Sequence, residues 1–109
     1  MTSDWIDMTA SRSPSQSIAR RVVVEGFVQA VGYRNFARQA ALRLGISGWV
    51  RNRSNGTVEA LISGPPDAVE AMLVELARGP QWAEVRDVRF VDVAGEVWEP
   101  GVFAVRSTA

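Results

Sequence analysis

Cysteine, histidine and lysine are all missing from these 109 residues, and each absence removes chemistry. Without cysteine there is no disulfide and no thiolate nucleophile. Without histidine there is no phosphohistidine and no Ser-His-Asp triad, and without both there is no zinc site of the usual Cys/His kind. An enzyme built from this chain therefore has to work without a side chain that ordinarily titrates near neutrality. Long apolar runs are missing as well: none approaches the roughly 20 residues that span a bilayer, so no membrane partner is expected. The start of the chain lacks the basic region and apolar stretch of a secretory signal, and a cytoplasmic location is expected. With lysine absent, all twelve basic residues are arginine, a usage that GC-rich codons explain.

The overall charge is zero, but its distribution is uneven. Between Arg20 and Gly56 seven arginines face one acid, a net +6; from Thr57 onward four arginines face nine acids, a net −5. The basic part suits an anion or a nucleic acid equally, so charge alone does not choose between them. An apolar content of 47% and charged content of 22% are ordinary globular values, and the length is that of one domain.

Residues 1–19 are rich in Ser and Thr, show no sustained period and read as a disordered N-terminal tail; residues 20–109 form the domain. Over 20–28, Val22, Val24 and Gly26 alternate with Val23, Glu25 and Phe27, which predicts a strand. From Tyr33 the residues Tyr33, Phe36, Ala37, Ala40, Ala41 and Leu44 recur at helical spacing until Gly45 stops the helix. Strands follow over 46–52 and 57–63, separated by Arg53-Ser54-Asn55-Gly56, whose Asn-Gly pair is a strong hairpin signal. Gly64-Pro65-Pro66-Asp67 opens a second helix with Val69, Met72, Leu73 and Leu76 inward and Gly79 at its end. A less regular strand spans about 82–93, and a loop through Gly95, Pro100 and Gly101 leads to a last strand over 102–106.

The order β-α-β-β-α-β predicts an α+β, ferredoxin-like sandwich, an antiparallel sheet with two helices on one face and an extra C-terminal strand. In that topology the first two strands are parallel, with the third between them, so their C-terminal ends share one edge of the sheet. The turn after the first strand and the end of the second, Arg51 and Asn52, are then expected to face a common space. That turn is a strand-to-helix junction with Gly26 and Gly32 at its shoulders, and its backbone N–H groups together with those of the helix start favour an anion. Arg34, in the first helical turn, adds a planar guanidinium able to grip two phosphate oxygens.

Gly26-Phe27-Val28-Gln29-Ala30-Val31-Gly32-Tyr33-Arg34 resembles the first signature of the acylphosphatases, and Gly48-Trp49-Val50-Arg51-Asn52-Arg53-Ser54-Asn55-Gly56-Thr57-Val58 resembles the second. The similarity covers residues 20–106. It implies hydrolysis of acyl phosphates, mixed anhydrides of a carboxylic acid and phosphate, with no metal and no other cofactor. Carried over by motif position, Arg34 binds the phosphoryl group with the backbone amides of Gln29, Ala30, Val31, Gly32 and Tyr33, and Asn52 orients the attacking water. The resemblance departs at Ala30, where the family usually has glycine.

The chemistry is consistent with these residues. An acyl phosphate expels a carboxylate whose conjugate acid has a pKa of about 4, so the leaving oxygen needs no general acid. Positioning and charge stabilisation dominate phosphoryl transfer, and amides, an arginine and an asparagine supply both. The expected partners are a small acyl phosphate and phosphate- or sulfate-like anions, with no nucleic acid, and the chain is expected to be a monomer. Two other readings compete. One is a non-catalytic module that binds phosphate or carbamoyl phosphate. The other is an RNA-binding sheet, for which Phe27, the only aromatic on the first and third strands, is a poor stacking platform. Trp49, Tyr33 and Phe36 read as core or shelf residues, Arg51 and Arg53 as solvated charges, and Asn55-Gly56 as structural.

Overall fold

The alternating valines near the start of the domain become β1, Ile18–Phe27, which begins two residues earlier than the alternation suggests. The computed structural model describes residues 17–94 and 101–109; of the tail expected over 1–19, residues 1–16 lie outside the described residues, as do Gly95 and Pro100 of the last loop, whereas Ile18 and Ala19 belong to β1, paired with Gly64 and Ser63 of the third strand in the chain. After β1 come α1 (Tyr33–Leu44), β2 (Ser47–Asn52), β3 (Val58–Gly64), α2 (Pro66–Arg78), β4 (Glu84–Asp92) and β5 (Phe103–Arg106).

The sheet order is β4-β1-β3-β2-β5. β3 pairs antiparallel with both β1 and β2, so those two strands run the same way on either side of it, as the sequence order requires. β5, the extra C-terminal strand expected from the sequence, runs parallel to β2 along that strand's outer edge. The direction follows from where the chain is. β4 lies antiparallel to β1 at the opposite edge, so a strand that starts where β4 finishes must run with β1 and β2. The C-terminal ends of β1, β2 and β5 therefore lie at one end of the sheet.

Both helices cover one face. Val22 and Val24 of β1, Val50 of β2, and Val58, Ala60 and Ile62 of β3 are buried against Ala37, Ala40 and Ala41 of α1 and Val69, Met72 and Leu76 of α2. Alanines on α1 let that helix approach closely, and larger side chains on α2 fill the remaining depth. Tyr33 joins the two helices, its hydroxyl donating to the Leu76 carbonyl at 2.6 Å. Burial pushes its phenol far above the usual range, so it remains neutral. The helices stop at Gly45 and Gly79, whose N–H groups return to Ala41 and Glu75.

Among the described residues no helix covers the opposite face, which is sealed by charge instead. Trp49 is 4% exposed there, beneath the guanidinium groups of Arg51 (4.8 Å from a ring centroid), Arg106 (4.9 Å) and Arg21 (5.8 Å). Beside it Glu59, 3% exposed, accepts from Arg51 at 2.8 Å, Arg21 at 3.1 Å and Arg53 at 3.2 Å. Burial opposes ionisation of this carboxyl, but the hydrogen bonds and the charges of its arginines outweigh it and hold its pKa below the ordinary value. Arg51 and Arg53 are thus not the solvated charges the sequence suggests. The hairpin register sets Arg51 directly opposite Glu59, and burial makes the pairing necessary.

Candidate active site

Residues 28–32 leave the end of β1 and must reverse into α1 within five positions. The approach begins with a register shift between Glu25 and Gly26 in the pairing with β4. A Cβ on Gly26 would lie 2.1 Å from the Glu84 carbonyl oxygen, so only glycine permits this close passage. Within the turn, Ala30 has φ 60° and Gly32 φ 76°, two left-handed residues that curl the chain into the helix. A positive φ at this position is one that glycine would adopt without strain, and the alanine costs about 1–2 kcal/mol there.

Gly32 is the N-cap of α1 and supplies no side-chain cap, and no acid occupies the first turn of that helix. The first N–H groups of a helix have no intrahelical partner, and here neither a capping oxygen nor a carboxylate competes for them. The helix start opens on a cleft of about 290 Å³. Ala30, Gly32, Tyr33 and Arg34 line it from the turn and helix start, and Asn52 lines it from the end of β2. Val28, Asn35 and Val105 complete its walls.

Arg34 is half-buried, and its Nη1 donates to the Arg106 carbonyl at 3.0 Å. One edge of the guanidinium is thereby anchored to β5, and its remaining N–H groups can serve a ligand in the cleft. The Asn52 side-chain amide has no protein hydrogen-bond partner among the described residues and stands across the cleft from the turn. The end of β2 is steadied through its backbone: the Asn52 carbonyl accepts from the Ala109 N–H at 3.0 Å, and the Ser54 N–H donates to the Ala109 carbonyl at 2.8 Å.

The sequence-derived set is brought together in part. Arg34, Asn52, Ala30, Gly32 and Tyr33 share one cleft, whereas Gln29 and Val31 are not among its lining residues. Arg51 does not face the common space expected of it, because the alternation of β2 turns it to the open face of the sheet. Asn35 and Val105 were missed. Asn35 could have been suspected as a polar side chain in the first turn of a helix that opens on a cleft. Val105 could not, since it reaches the site through the parallel pairing of β5 with β2. Among the described residues, no cluster of carboxylates could hold a metal ion.

Comparison with known proteins points the same way. The sequence pattern of the acylphosphatase family matches residues 20–99. An acylphosphatase of Koribacter versatilis is 48% identical over 77 residues, covering 71% of this chain and 70% of that protein. An acylphosphatase of Rhodospirillum rubrum is 52% identical over 73 residues, covering 67% and 80%. The structure of an acylphosphatase from Coxiella burnetii superposes with a TM-score of 0.78 at 33% identity, over 84% of this chain and 95% of that one. With the family pattern spanning most of its length, and with the fold and cleft described above, this chain belongs to the acylphosphatase family.

Proposed function

We propose that this chain hydrolyses acyl phosphates to a carboxylate and inorganic phosphate, with Arg34 and the turn amides holding the phosphoryl group and Asn52 orienting the water. The observation that carries the division of labour is the shared cleft. Arg34 enters it beside the helix start, and Asn52 enters it from a strand that is not adjacent to β1.

The phosphoryl oxygens sit against the turn amides and the free edge of Arg34, where fixed donors meet the negative charge without reorganising during the reaction. A water held by the Asn52 amide attacks phosphorus opposite the acyl oxygen. The bond between phosphorus and that oxygen breaks, and its electron pair leaves with the carboxylate. Asn52 has no basic site, so the water proton passes to a phosphoryl oxygen of the substrate. The carboxylate is stable without protonation, which is why a site with no titrating acid is sufficient. A phosphate monoester expels a far more basic oxygen and is a poor substrate for the same residues.

The test is hydrolysis of benzoyl phosphate in excess EDTA by the wild type, Arg34→Ala and Asn52→Ala, with a phosphate monoester as control. Turnover that survives EDTA, collapses in both variants and leaves the monoester nearly untouched is expected. Phosphate binding that Arg34→Ala abolishes, with no turnover in the wild type, would instead make this a phosphate-binding module.

A further inference from the structure

Gln29 belongs to the turn, yet its side chain is directed away from the cleft. Its Nε2 donates to the carbonyls of Arg53 at 2.7 Å and Thr57 at 2.9 Å. Those two carbonyls close the β2–β3 hairpin: Thr57 O accepts from the Arg53 N–H at 2.8 Å, and Arg53 O from the Gly56 N–H at 3.1 Å. Both protons of one planar amide are therefore spent on the base of the hairpin, one residue beyond Asn52.

This link matters because of the strand order. β1 and β2 are separated by β3, and the pairing of β1 with β3 ends at Val24 and Val58, four residues before the turn begins. The turn and the end of β2 consequently share no ladder. Among the described residues, the side-chain hydrogen bonds that join the turn to the hairpin are the two from Gln29. We infer that Gln29 is a positioning residue that fixes the distance and angle between the phosphate-holding turn and Asn52. The inference rests on the assignment of the attacking water to Asn52.

The consequence is a specific division between binding and turnover. The turn keeps its own shape from Gly26, the left-handed residues 30 and 32, and the anchoring of Arg34 on Arg106, none of which involves the Gln29 amide. Losing the amide should leave phosphate affinity nearly intact while Asn52 drifts relative to phosphorus. A misplacement of about 1 Å in such a geometry costs on the order of 100-fold in rate.

The experiment measures kcat and KM for benzoyl phosphate, the inhibition constant of inorganic phosphate, and Tm. The proteins are the wild type, Gln29→Met, Gln29→Glu, Arg34→Ala, Asn52→Ala and the Gln29→Met/Asn52→Ala double variant. Gln29→Met keeps the length of the side chain without donors, and Gln29→Glu keeps its shape with acceptors where donors are needed. In each, kcat is expected to fall roughly 10- to 100-fold with the phosphate constant changed less than about threefold. In the Asn52→Ala background the loss of the Gln29 amide should cost less than about threefold more, because the residue it positions is already gone.

A wild-type kcat in either Gln29 variant overturns the inference. So does a loss that multiplies with that of Asn52→Ala, or a phosphate constant that weakens in step with kcat, since either means that Gln29 supports the turn or the fold and not Asn52. Full turnover in Asn52→Ala would remove the underlying reading. Collapse in Arg34→Ala and Asn52→Ala beside an unchanged Gln29→Met removes this inference alone.

Discussion

The Arg34 guanidinium donates from Nη1 to the backbone carbonyl of Arg106 across 3.0 Å, tying the start of α1 to the last strand of the sheet. The contact fixes a planar group by one edge and leaves the rest of its donors toward the cleft. A lysine placed there has a single ammonium that cannot reproduce both the anchor and a two-point grip on phosphate. Arg34→Lys should therefore resemble deletion more than conservation. We expect kcat/KM for benzoyl phosphate to fall roughly 10²- to 10³-fold, the range for loss of a charge-stabilising donor, with inorganic phosphate inhibiting more weakly. Activity within tenfold of the wild type would mean that charge alone matters at this position.

Ala30 gives the turn a strained residue at its tip, with φ 60°. Glycine removes the steric cost but adds entropy to the unfolded chain, about 0.4–1 kcal/mol against about 1–2 kcal/mol of relief. Ala30→Gly should stabilise the protein by about 0.5–1 kcal/mol, raising the urea midpoint without altering the slope. Ala30→Val, β-branched in the same left-handed conformation, should do the opposite. If glycine proves neutral or destabilising, the turn does not hold a left-handed residue at this position in solution.

What could be read in the sequence had a local cause. Val58, Ala60 and Ile62 line the helix-covered face because strand alternation has a fixed period, and Asn55-Gly56 closes its hairpin because few other pairs fit that turn. The two signatures were local strings, and the cleft that unites Arg34 and Asn52 followed from strand order. What could not be read depended on partners distant in sequence. The parallel seat of β5 is such a case, and it brings Val105 and the Arg106 carbonyl to the site. The three arginines around Glu59 are another, each unremarkable until the register of three strands is known. Backbone angles at Ala30 were a third: the residue type disfavours the conformation that the turn imposes.

The two glycines that flank the turn should respond differently to alanine. At Gly32 a Cβ would have nothing within 4 Å, so only the left-handed backbone is penalised, by about 1–2 kcal/mol. At Gly26 the same atom would lie 2.1 Å from Glu84 O and 2.9 Å from Arg86 N, both backbone, so β4 itself must move. Gly32→Ala should fold with a modest loss by urea titration. Gly26→Ala should lose about 3 kcal/mol or more, beyond the usual range of about 1–3 kcal/mol for overpacking, or fail to fold. Equal losses at the two positions would show that the bulge between β1 and β4 can open without cost.

Glu59 and the active site should separate fold stability from turnover as pH changes. Its pKa in the folded state lies below the value of 4.5 it takes unfolded, so its contribution is complete above that value and is lost as pH falls through the folded pKa. Glu59→Gln leaves Arg21, Arg51 and Arg53 without their counter-charge and should cost about 1.5–3 kcal/mol at pH 7. The gap between wild type and variant should stay constant from pH 8 to about 5 and narrow below 4.5. A gap that persists unchanged at pH 3 would mean that the carboxyl keeps the same proton affinity folded and unfolded. Turnover should follow neither limb: with no histidine or cysteine in the chain, kcat/KM of the wild type should run level between about pH 6 and 8. A steep limb in that interval would require a protein group to take the water proton, against its transfer to a phosphoryl oxygen.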